Sequence, residues 1–357
     1  MKILKFLFLL PFLVIGAQAL EPKIVMKPEA SLKNGLYYVK GKLYDGTLKM
    51  LRYSVEDLYD VNAMGIVYPR LKPLPPTLIR EIDVQGGTAV RYRDYFDGRD
   101  KPSNEYPLKN GVREGTAKHY HADSGALMGE SEYKNDVRDG RYRRYYFDEG
   151  GALKQEGFFK ADKREGIFTD YYISGEVSAR SPYVGGLRNG EDVDYYKSGK
   201  IRGKRTYKND KREGAETWYY ESGETRVVEN YKDGEKDGVA REYYPSGKLR
   251  GEYEYKDGRQ TGAGLDYYES GALAAKVMFK NGRYHGLYEE YHENGKLKAR
   301  VMFEDGLEVG EARHYYANGK LEAQGEFERG RLIRAKKYDE AGKLISDKSD
   351  KNGLPRE

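Results

Sequence analysis

Cysteine is absent from all 357 residues. That excludes disulfide staples, thiolate metal centres and a lipid-bearing N-terminal cysteine. No run reaches the ~20 consecutive apolar residues of a membrane-spanning helix. Asn-x-Ser/Thr glycosylation acceptors are missing too. Charge of one sign hardly accumulates: 63 basic residues face 58 acidic ones, a net charge of +5. That is weak ground for a nucleic-acid partner, and none is expected. The stretch KRTYKNDKREG (204–214) is basic, but Asp210 and Glu213 dilute it, so it reads as a solvated face.

Tyrosine and glycine are abundant, with 35 and 43 residues. A charged fraction of 34% suggests disorder, but 13% aromatics argue for order, because each buried ring removes a large apolar surface from water. The N-terminus, MKILKFLFLLPFLVIGAQAL, has a basic start at Lys2 and Lys5 and a short apolar run from Ile3 to Ile15. Ala17-Gln18-Ala19 then sets small residues where signal peptidase needs them. Export with cleavage after Ala19 is expected, to the periplasm, the outer surface or the medium. Without disulfides or glycosylation acceptors, a bacterial envelope fits better than a eukaryotic secretory route.

The remainder is periodic. Tyr171, Tyr195, Tyr219, Tyr243, Tyr267, Tyr291 and Tyr315 lie 24 residues apart. Their neighbours are Tyr172, Tyr196, Tyr220, Tyr244, Tyr268, His292 and Tyr316. Two glycine columns keep the same register, one from Gly175 to Gly319 and one from Gly166 to Gly310. Three columns in one register define a repeat array. Upstream, Gly115 to Gly140 spans 25 residues and Gly140 to Gly166 spans 26, with the extra residue assigned to the Gly150-Gly151 turn.

Within a repeat, Leu273, Ala275, Val277 and Phe279 alternate onto one face, as do Leu297, Ala299, Val301 and Phe303, and Leu249, Gly251, Tyr253 and Tyr255. Period two with β-branched and aromatic residues means a strand. The paired tyrosines end a first strand, and Ser246-Gly247, Asn294-Gly295 and Asn318-Gly319 turn the chain. Lys256-Asp257-Gly258 and Lys280-Asn281-Gly282 close the second strand. The expected fold is all-β: an elongated antiparallel sheet of repeated 24-residue β-hairpins. The expected organisation is a signal peptide at 1–19, then a region at 20–87 with a degenerate repeat. Within that region, PRLKPLPPTL (69–78) is a proline-rich extended connector. Repeats at 88–333 and a degenerate capping repeat with a polar tail at 334–357 complete the chain.

The shared motif, G-x4-YY-x-(S/N)-G-(K/A)-L followed by a strand ending in (Y/F)-K-(N/D)-G, resembles the MORN-repeat variant of the YwqK antitoxin family. The likeness is strong over 115–332 and departs at Val184-Gly185-Gly186 and at His292. It implies a β-hairpin scaffold for protein or membrane association, with no catalytic residues to carry over.

No catalytic, cofactor or metal site emerges from the residues. His119 with His121, and His292 with His314, lack a third ligand at a metal spacing. Gly262-Ala263-Gly264 precedes no helix and reads as turn glycines rather than a phosphate loop. No serine and histidine recur together as a nucleophile and base would. The first tyrosine shares its face with Ala215, Val239, Leu265 and Leu287, which reads as the apolar side. The second shares its face with Asp194, Glu242, Asp266, Glu290 and His314. Tyr196, Tyr220, Tyr244, Tyr268 and Tyr316 therefore form a candidate exposed partner-binding row, weighed against cross-strand packing that only holds the sheet. The leading expectation is an exported non-enzymatic scaffold for a protein or cell-envelope partner. The alternatives are a carbohydrate-binding envelope module that stacks a glycan on the tyrosine row, and an antitoxin-like protein.

Overall fold

The computed structural model describes residues 23–349 apart from 34–35, 40–41, 44, 54, 62–66, 74–76, 87, 97–98 and 148–149. The expected leader, 1–19, and the end of the polar tail, 350–357, lie outside the described residues. Strands and turns make up the described residues, with no helix among them. The chain divides into two compact parts, Met1–Val137 and Arg138–Glu357.

In the first part, strand Lys23–Lys27 pairs with Gly46–Tyr53, which pairs with Thr77–Gln85 and then Thr88–Tyr95, all antiparallel. Pro102–Lys109, Gly115–Tyr120 and Leu127–Lys134 continue the meander. Leu48, Ile82 and Val84 are its buried core, with Met50, Ala89 and Tyr92 packed around them. Part of the expected 69–78 connector is paired strand, and residues 74–76 of it lie outside the described residues. Val67–Pro73 is a strand paired along its length with Val55–Val61, and a two-stranded hairpin keeps prolines on edges, where no donor is needed.

The second part is a succession of antiparallel hairpins from Val137–Tyr145 to Leu344–Ser349. Two turn types alternate. After the paired aromatics, the Gly247 N–H donates to Tyr244 O at 2.8 Å and the Tyr244 N–H to Lys248 O at 2.9 Å. Between repeats the loop has two residues, both at positive φ, as at Asp257 (47°) and Gly258 (77°), which a type I′ turn requires. Gly185 (59°) and Gly186 (96°) form the same turn, so the departure at 184–186 keeps the backbone of the repeat.

The alternation read from the second strands holds. Ala275, Val277 and Phe279 are buried, as are Ala299 and Val301, while Met278 and Met302 point outward. The face assigned to the tyrosines is reversed. Gly264 lies opposite Val277 and Asp266 opposite Ala275, and directly opposed residues share a face. The buried column is therefore Phe168, Asp192, Glu216, Ala240, Gly264 and Ala312, in phase with the second tyrosine. Ala215 is exposed and Val239, Leu265 and Leu287 are only half-buried.

That inner face is lined by a column of rings at the strand ends, with a cation above each. Arg138 lies 4.2 Å from the Phe159 ring centre, Arg164 5.0 Å from Tyr183 and Arg188 5.1 Å from Tyr207. Arg212 lies 4.7 Å from Tyr231 and Lys236 5.1 Å from Tyr255. Such stacks bury the guanidinium plane while neutralising little of its charge. Arg212, and Arg205 at 5.4 Å from the Trp218 ring centre, face inward, so the 204–214 stretch is only partly the solvated face its composition suggests. Further on, Tyr284 takes the cation's place and packs edge-on to Phe279 and Phe303 at 5.1 and 5.3 Å. Gly264 is not a turn glycine. It lies within strand Arg259–Tyr267, where a β-carbon would come 2.8 Å from both Phe279 and Tyr253.

Burial, reinforced by Glu290, pushes the Tyr288 phenol up to about 12. In the first part, burial with Glu81 acts the same way on Tyr95 and burial with Glu105 on Tyr120, each also to about 12. In an unfolded chain these phenols titrate near ~10. Between pH ~10 and ~12 the folded protein holds protons that the unfolded chain has released, so stability falls across that window. Urea midpoints should be level up to pH ~10 and then decline, with the phenolate absorbance of the folded protein rising late. A midpoint unchanged up to pH ~12 would contradict the burial of these phenols.

Candidate functional site

The tyrosine row was the candidate site, and its hydroxyls have intramolecular partners. Tyr196 Oη donates to Tyr219 O at 2.7 Å, Tyr220 to Tyr243 O at 2.7 Å and Tyr244 to Tyr267 O at 2.8 Å. Tyr268 donates to Tyr291 O at 2.7 Å and Tyr316 to Tyr338 O at 2.8 Å. Tyr146 and Tyr172 do the same for Tyr171 and Tyr195. Each second tyrosine therefore binds the backbone of the first tyrosine one repeat later. His292 keeps the bond, its Nε2 lying 2.8 Å from Tyr315 O. It is a substituted repeat position. Both tyrosine rows are half-buried, so neither is the exposed stripe that the acidic neighbours suggested. Lys154, Lys197 and Arg250 lie over the rings of Tyr146, Tyr172 and Tyr244, which leaves those ring faces less open to a stacked sugar.

The acids beside the row are neutralised locally. Asp192, 1% exposed, accepts from Ser181 Oγ at 2.5 Å and from Arg205 Nε at 2.8 Å. Arg205 also pairs with Asp194 at 3.0 Å, and Arg202 lies 3.5 Å from it. One repeat on, buried Glu216 accepts from Trp218 Nε1 at 2.8 Å and Arg212 Nη1 at 3.1 Å. Arg212 donates onward to Tyr231 Oη, and Tyr231 donates to Glu229, which Lys236 pairs at 2.6 Å. Four acids meet four cations in this seam. Paired and hydrogen-bonded, these buried charges hold one another in place, and no isolated acid–base pair is set up for proton transfer. Beside the seam, Tyr146, Tyr172, Asp170, Asp194, Lys154 and Arg202 line a groove of about 430 Å³. Burial raises Asp170 above the usual carboxylate range, and Gln155 Nε2 donates to it at 2.7 Å.

The outer face offers a different chemistry. Phe158 is 54% exposed, Ile167 59%, Val184 57% and Leu187 43%. They are contiguous: Ile167 lies opposite Pro182, Val184 opposite Leu187, and Phe158 opposite Glu165 on the strand that carries Ile167. A solvated sheet face normally carries polar residues, and these four side chains depart from that pattern. Sequence reasoning missed it. The clearest signal was at Val184, whose outward position holds Lys or Glu in the other repeats, whereas the positions of Phe158 and Ile167 are also apolar elsewhere, as at Met278, Met302, Val239 and Leu287.

Six consecutive segments, residues 188–209, 212–233, 236–257, 260–281, 284–305 and 308–329, match the MORN repeat variant family. No curated protein matches the chain. Among solved structures, the crystal structure of TcdB2-TccC3-Cdc42 is 11% identical over 85% of this chain and 20% of that one, with a TM-score of 0.15. TcdB2-TccC3 without its hypervariable C-terminal region is 10% identical over 87% and 19%, with a TM-score of 0.16. The chain spans about a fifth of those chains, and at such scores the likeness carries no argument. No antitoxin is named among these matches, so the YwqK likeness finds no support in them.

Replacing Tyr220, Tyr244 and Tyr268 together by Phe removes three hydroxyl bonds and little volume. At ~1 kcal/mol each, the loss should be about 3 kcal/mol. The same change at Tyr219, Tyr243 and Tyr267, whose hydroxyls make no such bond among the described residues, should cost far less. Melting curves decide it, and equal losses would refute the structural role of the second row.

Proposed function

We propose that the chain is an exported, non-enzymatic repeat scaffold that holds a protein or cell-envelope partner on the outer face of its sheet. The carrying observation is the Phe158, Ile167, Val184 and Leu187 patch, exposed on a frame whose constant residues are bonded to one another. A rigid frame lowers the ordering cost of association, and an apolar centre supplies its driving force. The balanced seam at Asp192 and Glu216 supports a structural rather than a catalytic role for the inner charges. The leader sequence supports export.

The test uses the native envelope. Cross-linking with wild-type protein should recover a discrete partner, and Ile167→Glu with Val184→Glu should weaken its binding by about tenfold or more. Both side chains are largely exposed, so the melting temperature should stay close to wild type. Retention of the partner by the double variant would remove the patch from the account. In the same preparation the mature N-terminus should be Leu20, and an intact Met1 would overturn export.

A further inference from the structure

Four of the two-residue turns between repeats share a device, while elsewhere Asn189, His285 or Val309 stands in place of the acid. The N–H of the first turn residue donates to a carboxylate of the preceding repeat: Asn135 to Glu114 at 3.1 Å, Gly185 to Glu165 at 2.8 Å, Asp233 to Glu213 at 3.0 Å and Ala161 to Asp139 at 3.4 Å. The acid always sits immediately before the glycine of the column that runs through Gly166 and Gly214. At the turn of Asn281 and Gly282 the backbone is the same, with φ of 51° and 79° and the Gly282 N–H on Gln260 O at 2.9 Å. The residue before Gly262, however, is Thr261, which offers no carboxylate to the Asn281 N–H.

The cations around this turn have lost their partner as well. Two repeats earlier, Lys211 pairs with Asp233 across the same geometry at 3.6 Å. The corresponding residues here are Arg259 and the neutral Asn281. Lys280 and Arg283 face each other across the hairpin. Arg259, Lys280, Asn281, Arg283 and Asp305 together line a pocket of about 430 Å³. Asp305 is the one carboxylate in that lining, and His285 Nδ1 lies 3.4 Å from it. Among the described residues, none of the three cations has an acid within ion-pair distance. Three positive charges, one negative charge and the Asn281 N–H thus converge where four other repeats place their own Glu or Asp.

We propose that this turn binds a carboxylate supplied from outside the chain, as an Asp or Glu side chain of an acidic peptide. The incoming group takes the position that Glu213 holds at the equivalent turn, accepting from the Asn281 N–H and pairing with Arg259, Lys280 and Arg283. The chain's own use of a carboxylate in four sister turns sets the chemistry, and charge-assisted bonds from guanidinium groups supply the strength. The site shares no residue with the outer apolar patch.

The probe is a fluorescent oligoglutamate peptide titrated into the full chain at low salt, with oligoglutamine as the neutral control. Thr261→Glu restores the internal carboxylate and should weaken oligoglutamate binding about tenfold. The same variant should not lower the melting temperature, because it places at the turn the acid that the sister turns carry there. Thr261→Gln, of the same length but uncharged, should bind within about twofold of wild type, since the cations remain unpaired. Ile167→Glu with Val184→Glu should bind the peptide as wild type does, which separates this site from the proposed scaffold surface. The proposal fails if oligoglutamate binds no better than oligoglutamine. It also fails if Thr261→Glu binds like wild type, or if Thr261→Gln weakens binding as much as Thr261→Glu.

Discussion

The second part of the chain depends on one hydrogen bond made once per repeat, from the hydroxyl of the second tyrosine to the backbone carbonyl of the first tyrosine one repeat on. It ties one turn-bearing end of each hairpin to the next. The other end is tied by backbone bonds, as where the Gly234 N–H reaches Arg212 O and the Gly258 N–H reaches Lys236 O, both at 2.9 Å, and in several repeats by a turn N–H on a carboxylate of the preceding repeat. Each repeat is thus held at both ends by its neighbour. A single two-stranded hairpin is marginal in water, and stacking neighbours is what makes it stable. Where histidine replaces tyrosine at position 292, a ring nitrogen within bonding distance of the same carbonyl keeps the tie.

With the ends tied, the faces are free to differ. Inward, the ring column is constant, while the position between rings runs from Phe168 through Asp192 and Glu216 to Ala240, Gly264 and Ala312. Large and small residues alternate across strands to fill this face: a β-carbon on Gly203 would come 2.7 Å from Trp218, and one on Gly157 as close to Phe168. Outward, most repeats present charge and the repeats around residues 158–187 present an apolar patch. A frame of constant bonds carrying variable faces is the arrangement by which repeat proteins build binding surfaces.

The period, the hairpins and the two turn types were legible in the sequence because each is local. A positive φ favours glycine, asparagine or aspartate at a fixed offset, and a half-buried strand must alternate. The direction of the tyrosine rows was not legible. It depends on cross-strand register, Gly264 against Val277, and judging a face by its apolar content fails where the buried column holds Asp192, Glu216 and Gly264. The arginine column had a visible signal, Arg two residues before glycine at 138, 164, 188 and 212. Its meaning required knowing that a ring lies beneath each one. The acid between that Arg and the glycine looked at Glu213 like dilution of charge, but there, as at Glu165, it receives a turn N–H.

The most direct test of the account is an in-register deletion. Removing residues 244–267 joins Tyr243 to Tyr268 and restores the paired tyrosines, with every staple able to form one repeat earlier. The account predicts a folded β-sheet protein with a sharp melt, less stable than the parent by about one repeat's contribution. Loss of the sheet in this variant, or a melt no sharper than after an out-of-register deletion of half that length, would contradict the claim that repeat-to-repeat bonds hold the fold.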